Sequence, residues 1–161
     1  MTPDRAYLAM LFEGAPRFLD RLMAAAPYAD DEALFATARS IAHAMPESEQ
    51  VELIDAHPRL GAPPATVSAS SYAEQGYDRP PSPDAADVQV AAELERLNEA
   101  YEARFGFRYC TFVAGRPRAA LLPGFAAALG AERDAELRRA IDAVIDIGID
   151  RHHTTSREAT P

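Results

Sequence analysis

Apolar residues recur at intervals of three and four along most of this chain, and this helical spacing limits its fold more than any other feature of the sequence. The longest such face carries Leu94, Leu97, Tyr101 and Phe105, and another runs from residue 34 to residue 42. One run, FRYCTFVAG at 107–115, has the β-branched and aromatic content of a strand, but a single short run cannot form a sheet. The pattern therefore predicts an all-α fold, a single-domain helical bundle.

The length and the charge narrow the class of protein. The chain has 161 residues and a net charge of −9. This length fits one domain, which we predict to span residues 1–152, followed by a flexible C-terminal tail at 153–161. A nucleic-acid-binding surface needs clustered basic residues, which this sequence lacks, and an acidic surface disfavours anionic membranes. We expect neither nucleic acid nor membrane as a partner, since no apolar run reaches the roughly 20 residues that span a bilayer.

The few cysteines and histidines argue against a metal site. Cys110 is the single cysteine, so a disulfide framework and a zinc site built from several cysteines are excluded. We expect Cys110 to be a small buried apolar residue. His152 and His153 are adjacent and therefore cannot share one helix face. Since the N-terminus also has no signal-peptide layout, the sequence predicts a cytoplasmic protein without a bound metal.

A long irregular segment interrupts the helices. A short helix should stop at His57, because Pro58 disfavours the α region for the residue before it. The segment 58–84 holds six prolines. A loop of this length inside a compact domain is uncommon and often functional, so we predict that it covers a substrate. Within it, SSYAEQGYD at 70–78 is predicted to form one short helix.

His57 has two interpretations on local sequence. A histidine that closes a helix feels the negative end of the macrodipole, which favours the imidazolium by roughly 0.3–1 kcal/mol. Its position at the mouth of the long loop suits catalysis. The structural alternative is a histidine that caps the carbonyls of its own helix.

Glu74 and Arg151 also have structural alternatives. Ser71 and Glu74 have the spacing of a capping box, in which both side chains satisfy a helix start. The same serine and carboxylate, with the amide of Gln75, can form a rigid polar clamp in a site. Arg151 can complement the dipole at a helix C-terminus or hold a carboxylate in a fork.

In their order along the chain, these motifs resemble the OHCU decarboxylases. The resemblance rests on four segments and covers roughly residues 5 to 152. They are ELIDAHPRL at 52–60, SYAEQ at 71–75, LNEAYEARFGF at 97–107 and YCTFV at 109–113. The family acts on 2-oxo-4-hydroxy-4-carboxy-5-ureidoimidazoline, and its fold is an all-helical bundle that is usually dimeric.

The resemblance assigns roles to particular residues. It implies that the catalytic residues are His57, Glu74 and Arg151. It places the substrate contacts at Pro58, Ser71, Tyr72, Ala73, Glu74, Gln75, Tyr109, Cys110, Thr111, Phe112 and Val113. It also implies a small-molecule substrate, the ureido-imidazoline carboxylate, no cofactor, and a homodimer.

The chain departs from the family pattern on the substrate loop. After His57-Pro58 the family tends to read Leu-Ala-Gly followed by a basic residue, whereas this chain has RLGAPPATVSA. After Gln75 the family often continues toward Ala-Gly-Leu, and this chain has Gly76-Tyr77-Asp78. Tyr109 stands where phenylalanine is common.

The expected reaction is a decarboxylation to (S)-allantoin in urate breakdown. The substrate carbon that loses CO₂ neighbours a ring C=N bond, which can accept the released electron pair without a metal or an organic cofactor. A histidine with a pKa near neutral suits the proton transfers. Two alternatives remain. One is a related cofactor-free lyase that acts on another cyclic ureide, and the other is a non-catalytic helical interaction module.

Overall fold

A computed structural model describes residues 1–79 and 85–158 of the chain. Over these two ranges the chain forms eight α-helices, one 3₁₀ turn at Pro64–Thr66 and no β-strand. The all-α prediction is therefore confirmed. The helices are α1 (Arg5–Phe12), α2 (Pro16–Ala25), α3 (Asp31–Ala44), α4 (Glu47–Asp55), α5 (Ala69–Glu74), α6 (Ala85–Phe105), α7 (Arg118–Ala128) and α8 (Arg133–Glu158).

Local caps determine where the first helices begin. The Asp4 carboxylate accepts a hydrogen bond of 2.7 Å from the main-chain nitrogen of Tyr7, so α1 begins after Asp4. Asp30 caps α3 in the same way, through the nitrogen of Ala33 at 2.8 Å.

The last helix, α8, is the centre of the bundle and packs against α1, α3 and α4. Its inward face contains Ile141, Val144 and Ile145, which are fully buried. Gly148 lies on the same face, and a β-carbon there would lie 2.5 Å from the ring of Phe12. A side chain at this position would therefore push α1 away from α8.

The two irregular segments differ in part from the prediction. The 3₁₀ turn and α5 lie inside the long loop, and its residues 80–84 lie outside the described residues. At the C-terminus, α8 continues to Glu158, so residues 153–158 are helical where a tail was predicted. The Thr155 hydroxyl supports this turn by donating to the carbonyl of Arg151 at 2.9 Å. Residues 159–161 lie outside the described residues, and the flexibility of this end stays a prediction.

None of the helices in the described ranges combines the length and the hydropathy that crossing a membrane requires.

Candidate active site

His57 lies directly after α4, with its side chain buried. The helix ends at Asp55, and the main-chain nitrogen of His57 still donates to the carbonyl of Ile54 at 3.1 Å. The Nδ1 atom lies 3.3 Å from the carbonyl of Leu53, so a proton on Nδ1 completes a hydrogen bond within the helix end. The other ring nitrogen, Nε2, is buried and has no hydrogen-bond partner among the described residues. This geometry leaves the Nε2 lone pair available to a ligand.

The surroundings of His57 disfavour its charged form. Burial and, to a smaller extent, the positive charge of Arg151 lower the pKa of its imidazole to about 4, although Glu13 and the carbonyl of Leu53 act in the opposite direction. The hydrogen bond to the helix-end carbonyl of Leu53 favours the charged form, but desolvation outweighs it. At neutral pH the ring is therefore an uncharged base.

Arg151 of α8 joins three elements through its buried guanidinium. Its Nε and Nη2 atoms bind the two carboxylate oxygens of Glu74 at 2.6 and 3.0 Å, which is the fork geometry considered for this residue. Nη2 also reaches Glu13 at 2.7 Å and the hydroxyl of Ser71 at 3.1 Å. Nη1 donates to the carbonyl of Met10 at the end of α1. The guanidinium is therefore fully engaged before any ligand arrives.

Glu13 belongs to this network, and the sequence-based site did not include it. Its carboxylate accepts hydrogen bonds of 2.7 Å from the hydroxyls of Ser68 and Ser71. Burial opposes its ionisation, but these hydrogen bonds and the charge of Arg151 hold its pKa below the ordinary value. Glu13 is also the C-cap of α1, with φ 56°. An acid at that end of a helix conflicts with the dipole, and such a local conflict is the one sequence signal of its role.

The predicted capping box at the start of α5 was wrong. Ser68 is the N-cap, and its hydroxyl accepts from the nitrogen of Ser71 at 3.2 Å. The hydroxyl of Ser71 instead donates to Glu13, and Glu74 binds Arg151. The N-cap lies three residues before Ser71, so Ser71 lies inside the helix and Glu74 is its last residue. Neither side chain is needed at the helix start.

Gln75 fixes the chain that follows His57. Its amide oxygen accepts from the nitrogen of Gly61 at 2.7 Å, and its amide nitrogen donates to the carbonyl of Arg59 at 3.1 Å. From the other side, Nη1 of Arg108 donates to the carbonyls of Asp55 and His57 at 2.8 and 3.1 Å. The backbone around His57 is thus held on both sides by buried or half-buried polar groups.

A small cavity of about 40 Å³ lies next to His57, and we call it the inner cavity. It is lined by His57, Pro58, Leu60, Ser71, Glu74, Gln75, Tyr109, Cys110, Thr111, Val113 and Ile147. Most predicted site residues meet here, and Leu60 and Ile147 join them from outside the prediction. Arg151 does not line the cavity but holds Glu74 there.

Three predicted contacts lie elsewhere. Tyr72 and Ala73 are exposed, because they face outward on α5. Phe112 packs against the hydrophobic core. Tyr72 lines a second, larger space of about 620 Å³, which we call the outer cleft. Glu74 and Gln75 line both spaces and so form the partition between them.

The segment 109–113 borders the inner cavity and contains main-chain donors without an acceptor in the described ranges. The nitrogens of Tyr109, Cys110 and Thr111 donate no hydrogen bond to any group in the described ranges. Unpaired main-chain donors in a half-buried segment are binding groups for a ligand with carbonyl oxygens. The Cys110 thiol is a poor nucleophile, because burial raises its pKa to about 12.

Residues 1–79 and 85–158 contain no group of three histidine, cysteine or carboxylate side chains placed to hold a metal ion. The polar side chains that line the inner cavity include the neutral imidazole of His57, the carboxylate of Glu74, the amide of Gln75 and the hydroxyls of Ser71 and Thr111. This set suits proton transfer and the binding of a planar polar molecule.

The sequence of this chain is similar to those of known proteins. The family model for OHCU decarboxylase matches residues 4–153. The uric acid degradation bifunctional protein PucL of Bacillus subtilis (strain 168) is 30% identical over 137 residues, which make up 83% of this chain. The chain spans 26% of the length of that relative.

Two solved structures share the fold. A crystal structure of OHCU decarboxylase in the presence of (S)-allantoin superposes with a TM-score of 0.72 at 19% identity and covers 96% of this chain and 99% of its own. A crystal structure of (S)-allantoin synthase gives a TM-score of 0.64 at 16% identity, covering 93% of this chain and 48% of its own.

Proposed function

The chain belongs to the OHCU decarboxylase family, whose members are carboxy-lyases, and on this basis we propose that it converts 2-oxo-4-hydroxy-4-carboxy-5-ureidoimidazoline to (S)-allantoin in urate breakdown. One observation carries the proposal. His57 is a buried, uncharged imidazole whose Nε2 atom has no partner among the described residues and which borders a polar cavity. At neutral pH this imidazole is unprotonated, and its Nε2 lone pair can accept a proton from a bound ligand.

The reaction balances without a redox partner. The C–CO₂ bond breaks, its electron pair forms a ring C=C bond, and the π pair of the C=N bond moves to the ring nitrogen, which takes a proton. The hydroxyl then becomes a carbonyl as it loses its proton, and the adjacent ring carbon gains one. The net change is the loss of CO₂ and the uptake of one proton. His57 would take the hydroxyl proton at Nε2 and deliver a proton to one face of the ring.

We assign supporting roles to the groups around His57. Glu74 lines the cavity while Arg151 holds both of its oxygens, so its carboxylate is oriented to accept a hydrogen bond from the substrate hydroxyl. The main-chain nitrogens of Tyr109 to Thr111 would bind the carbonyl oxygens of the ring and the ureido group. Arg151 and Glu13 act through Glu74 and Ser71, and we consider them positioning residues.

The size of the inner cavity implies that binding requires movement. Its 40 Å³ is far below the volume of about 300–1,000 Å³ that small-molecule sites usually have. The partition of Glu74 and Gln75 belongs to the long loop, and its displacement would merge the inner cavity with the outer cleft. The proposed covering role of the loop therefore includes opening as well as closing.

The test is an assay with freshly generated substrate, followed by the circular dichroism of the product. The proposal predicts that substrate is lost faster with the protein than without it. It also predicts a circular dichroism signal from a single enantiomer of allantoin, the (S) form. Racemic allantoin formed at the spontaneous rate would contradict it. A related lyase that acts on another cyclic ureide would also leave this substrate to decay at the spontaneous rate. It would, however, accelerate the decarboxylation of that other ureide.

We further propose that the protein is a cytoplasmic homodimer, as the family resemblance implies. Light scattering coupled to gel filtration would then give twice the chain mass of 17.5 kDa. A mass of 17.5 kDa at working concentration would contradict the dimer.

A further inference from the structure

The outer cleft is distinguished by its positive charge. Arg79, Arg116 and Arg118 line it, together with the acids Glu74 and Asp87. None of the three arginines forms an ion pair with a carboxylate of the described residues. The charge of Glu74 is already balanced by its ion pair with Arg151. Within the lining, the negative charge of Asp87 is therefore left against the three positive charges of the arginines. Elsewhere the protein carries an excess of acids, with a net charge of −9.

Each of these arginines retains donor capacity toward the cleft. Arg79 is exposed, and its guanidinium makes no hydrogen bond within the described ranges. Arg116 donates only to main-chain carbonyls, at 2.6 Å to Phe112 and 3.0 Å to Val113. Arg118 donates through Nε to the carbonyl of Gln75 at 3.2 Å.

The inner cavity lacks such free cations. Arg151 already donates hydrogen bonds to Glu13, Glu74, Ser71 and main-chain carbonyls. His57 is uncharged at neutral pH. With Glu13 and Glu74 ionised, this group carries one net negative charge. A carboxylate substrate that approached the inner cavity directly would meet repulsion. The outer cleft is the adjoining space where an anion is attracted first.

We propose that the outer cleft is an antechamber that recruits carboxylate-bearing cyclic ureides before they pass the partition of Glu74 and Gln75. Arg79, Arg116 and Arg118 bind the carboxylate there. This inference rests on the proposed function, because it supplies the route by which an anionic substrate reaches His57. The volume of 620 Å³ lies within the usual range for small-molecule sites.

The contacts of Arg118 connect docking with access to the inner cavity. Its guanidinium lies 4.2 Å from the ring centre of Tyr77 and binds the carbonyl of Gln75. A carboxylate that takes donors of Arg118 competes with this carbonyl, which belongs to the partition. Arg118 is therefore expected to affect both recruitment and the opening of the partition, whereas Arg79 affects recruitment alone.

The kinetic test uses Arg79→Gln, with Arg138→Gln as the control. Both residues are exposed arginines, so both variants lose the same charge, but Arg138 lies outside the outer cleft. Because steering by a charged cleft raises association rates by about 10–10³-fold, Arg79→Gln should lower kcat/KM about tenfold at low ionic strength and leave kcat unchanged. The difference from wild type should shrink at high salt. Equal kcat/KM and equal salt dependence for the two variants would overturn the antechamber.

A binding test separates the antechamber from the reaction. Calorimetry with hydantoin-5-acetate and with hydantoin compares two cyclic ureides that differ in a carboxylate. Arg79→Gln and Arg118→Gln should weaken hydantoin-5-acetate several-fold and leave hydantoin unchanged. If both ligands bind alike to wild type and variants, the antechamber is wrong even where allantoin forms. A further outcome is that the variants bind hydantoin-5-acetate selectively more weakly while the wild-type protein shows no decarboxylation in the substrate assay. That pair of results would support the antechamber and overturn the proposed reaction.

Discussion

Replacing His57 with asparagine should remove a pH-dependent part of the stability. The folded protein lowers the pKa of His57 from 6.5 to about 4, chiefly through burial. The unfolded chain therefore binds this proton more tightly, so the stabilising contribution is complete above pH 6.5 and is lost as the pH falls toward 4. At 1.36 kcal/mol for each pKa unit, the full contribution is about 3 kcal/mol, of which about 2 kcal/mol is lost between pH 7 and pH 5.

Urea unfolding at pH 7 and pH 5 measures this contribution. Wild type should lose about 2 kcal/mol more of its unfolding free energy across the interval than His57→Asn does, because asparagine does not titrate. His153→Asn, which changes an exposed histidine on α8, should keep the loss seen in wild type. If wild type and His57→Asn lose the same free energy, His57 is solvated or charged in the folded state, and the argument for a neutral base fails.

Three further predictions concern the network, the cofactor and the loop. Glu13→Gln should lower the unfolding free energy by about 1.5–3 kcal/mol, because Arg151 and two serines lose a charged acceptor. The control Glu95→Gln changes an exposed residue and should alter the unfolding free energy by less than about 0.5 kcal/mol. Equal losses for the two variants in urea unfolding would contradict the role of Glu13. Turnover should survive exhaustive dialysis against a chelator, and recovery only after zinc is added would show that a metal is needed. Amide hydrogen exchange across residues 58–84 should slow when allantoin binds, and unchanged exchange at saturation would rule out a covering loop.

The sequence predicts most of the fold because the helices depend on short-range patterns. The stripe of Leu94, Leu97 and Tyr101 belongs to one buried face of α6, and Pro58 ends α4 just before His57 as expected. Helix starts were harder to predict, because several serines and acids near each start can serve as the cap. Ser68 rather than Ser71 caps α5, since the hydroxyl of Ser71 is engaged by a residue from a distant helix.

The candidate site is predicted only where local motifs carry it. His57, Glu74 and Gln75 stand in recognisable motifs and meet at one cavity. Glu13 comes from the opposite end of the chain, and only the packing of α1 against α8 brings it to Arg151. The depressed pKa of His57 was also beyond the sequence, because burial, its largest cause, depends on the complete fold.

The most direct test of the central claim compares kcat for wild type and His57→Asn, with melting temperatures measured in parallel at neutral pH. Asparagine can still hydrogen-bond to the helix end at Leu53 but cannot exchange a proton near neutral pH. General acid–base catalysis contributes about 10²–10⁴-fold, so kcat should fall by about that factor while the variant remains folded. His153→Asn should match wild type in both measurements. A folded His57→Asn protein that turns over within a few-fold of wild type would contradict the catalytic role of His57.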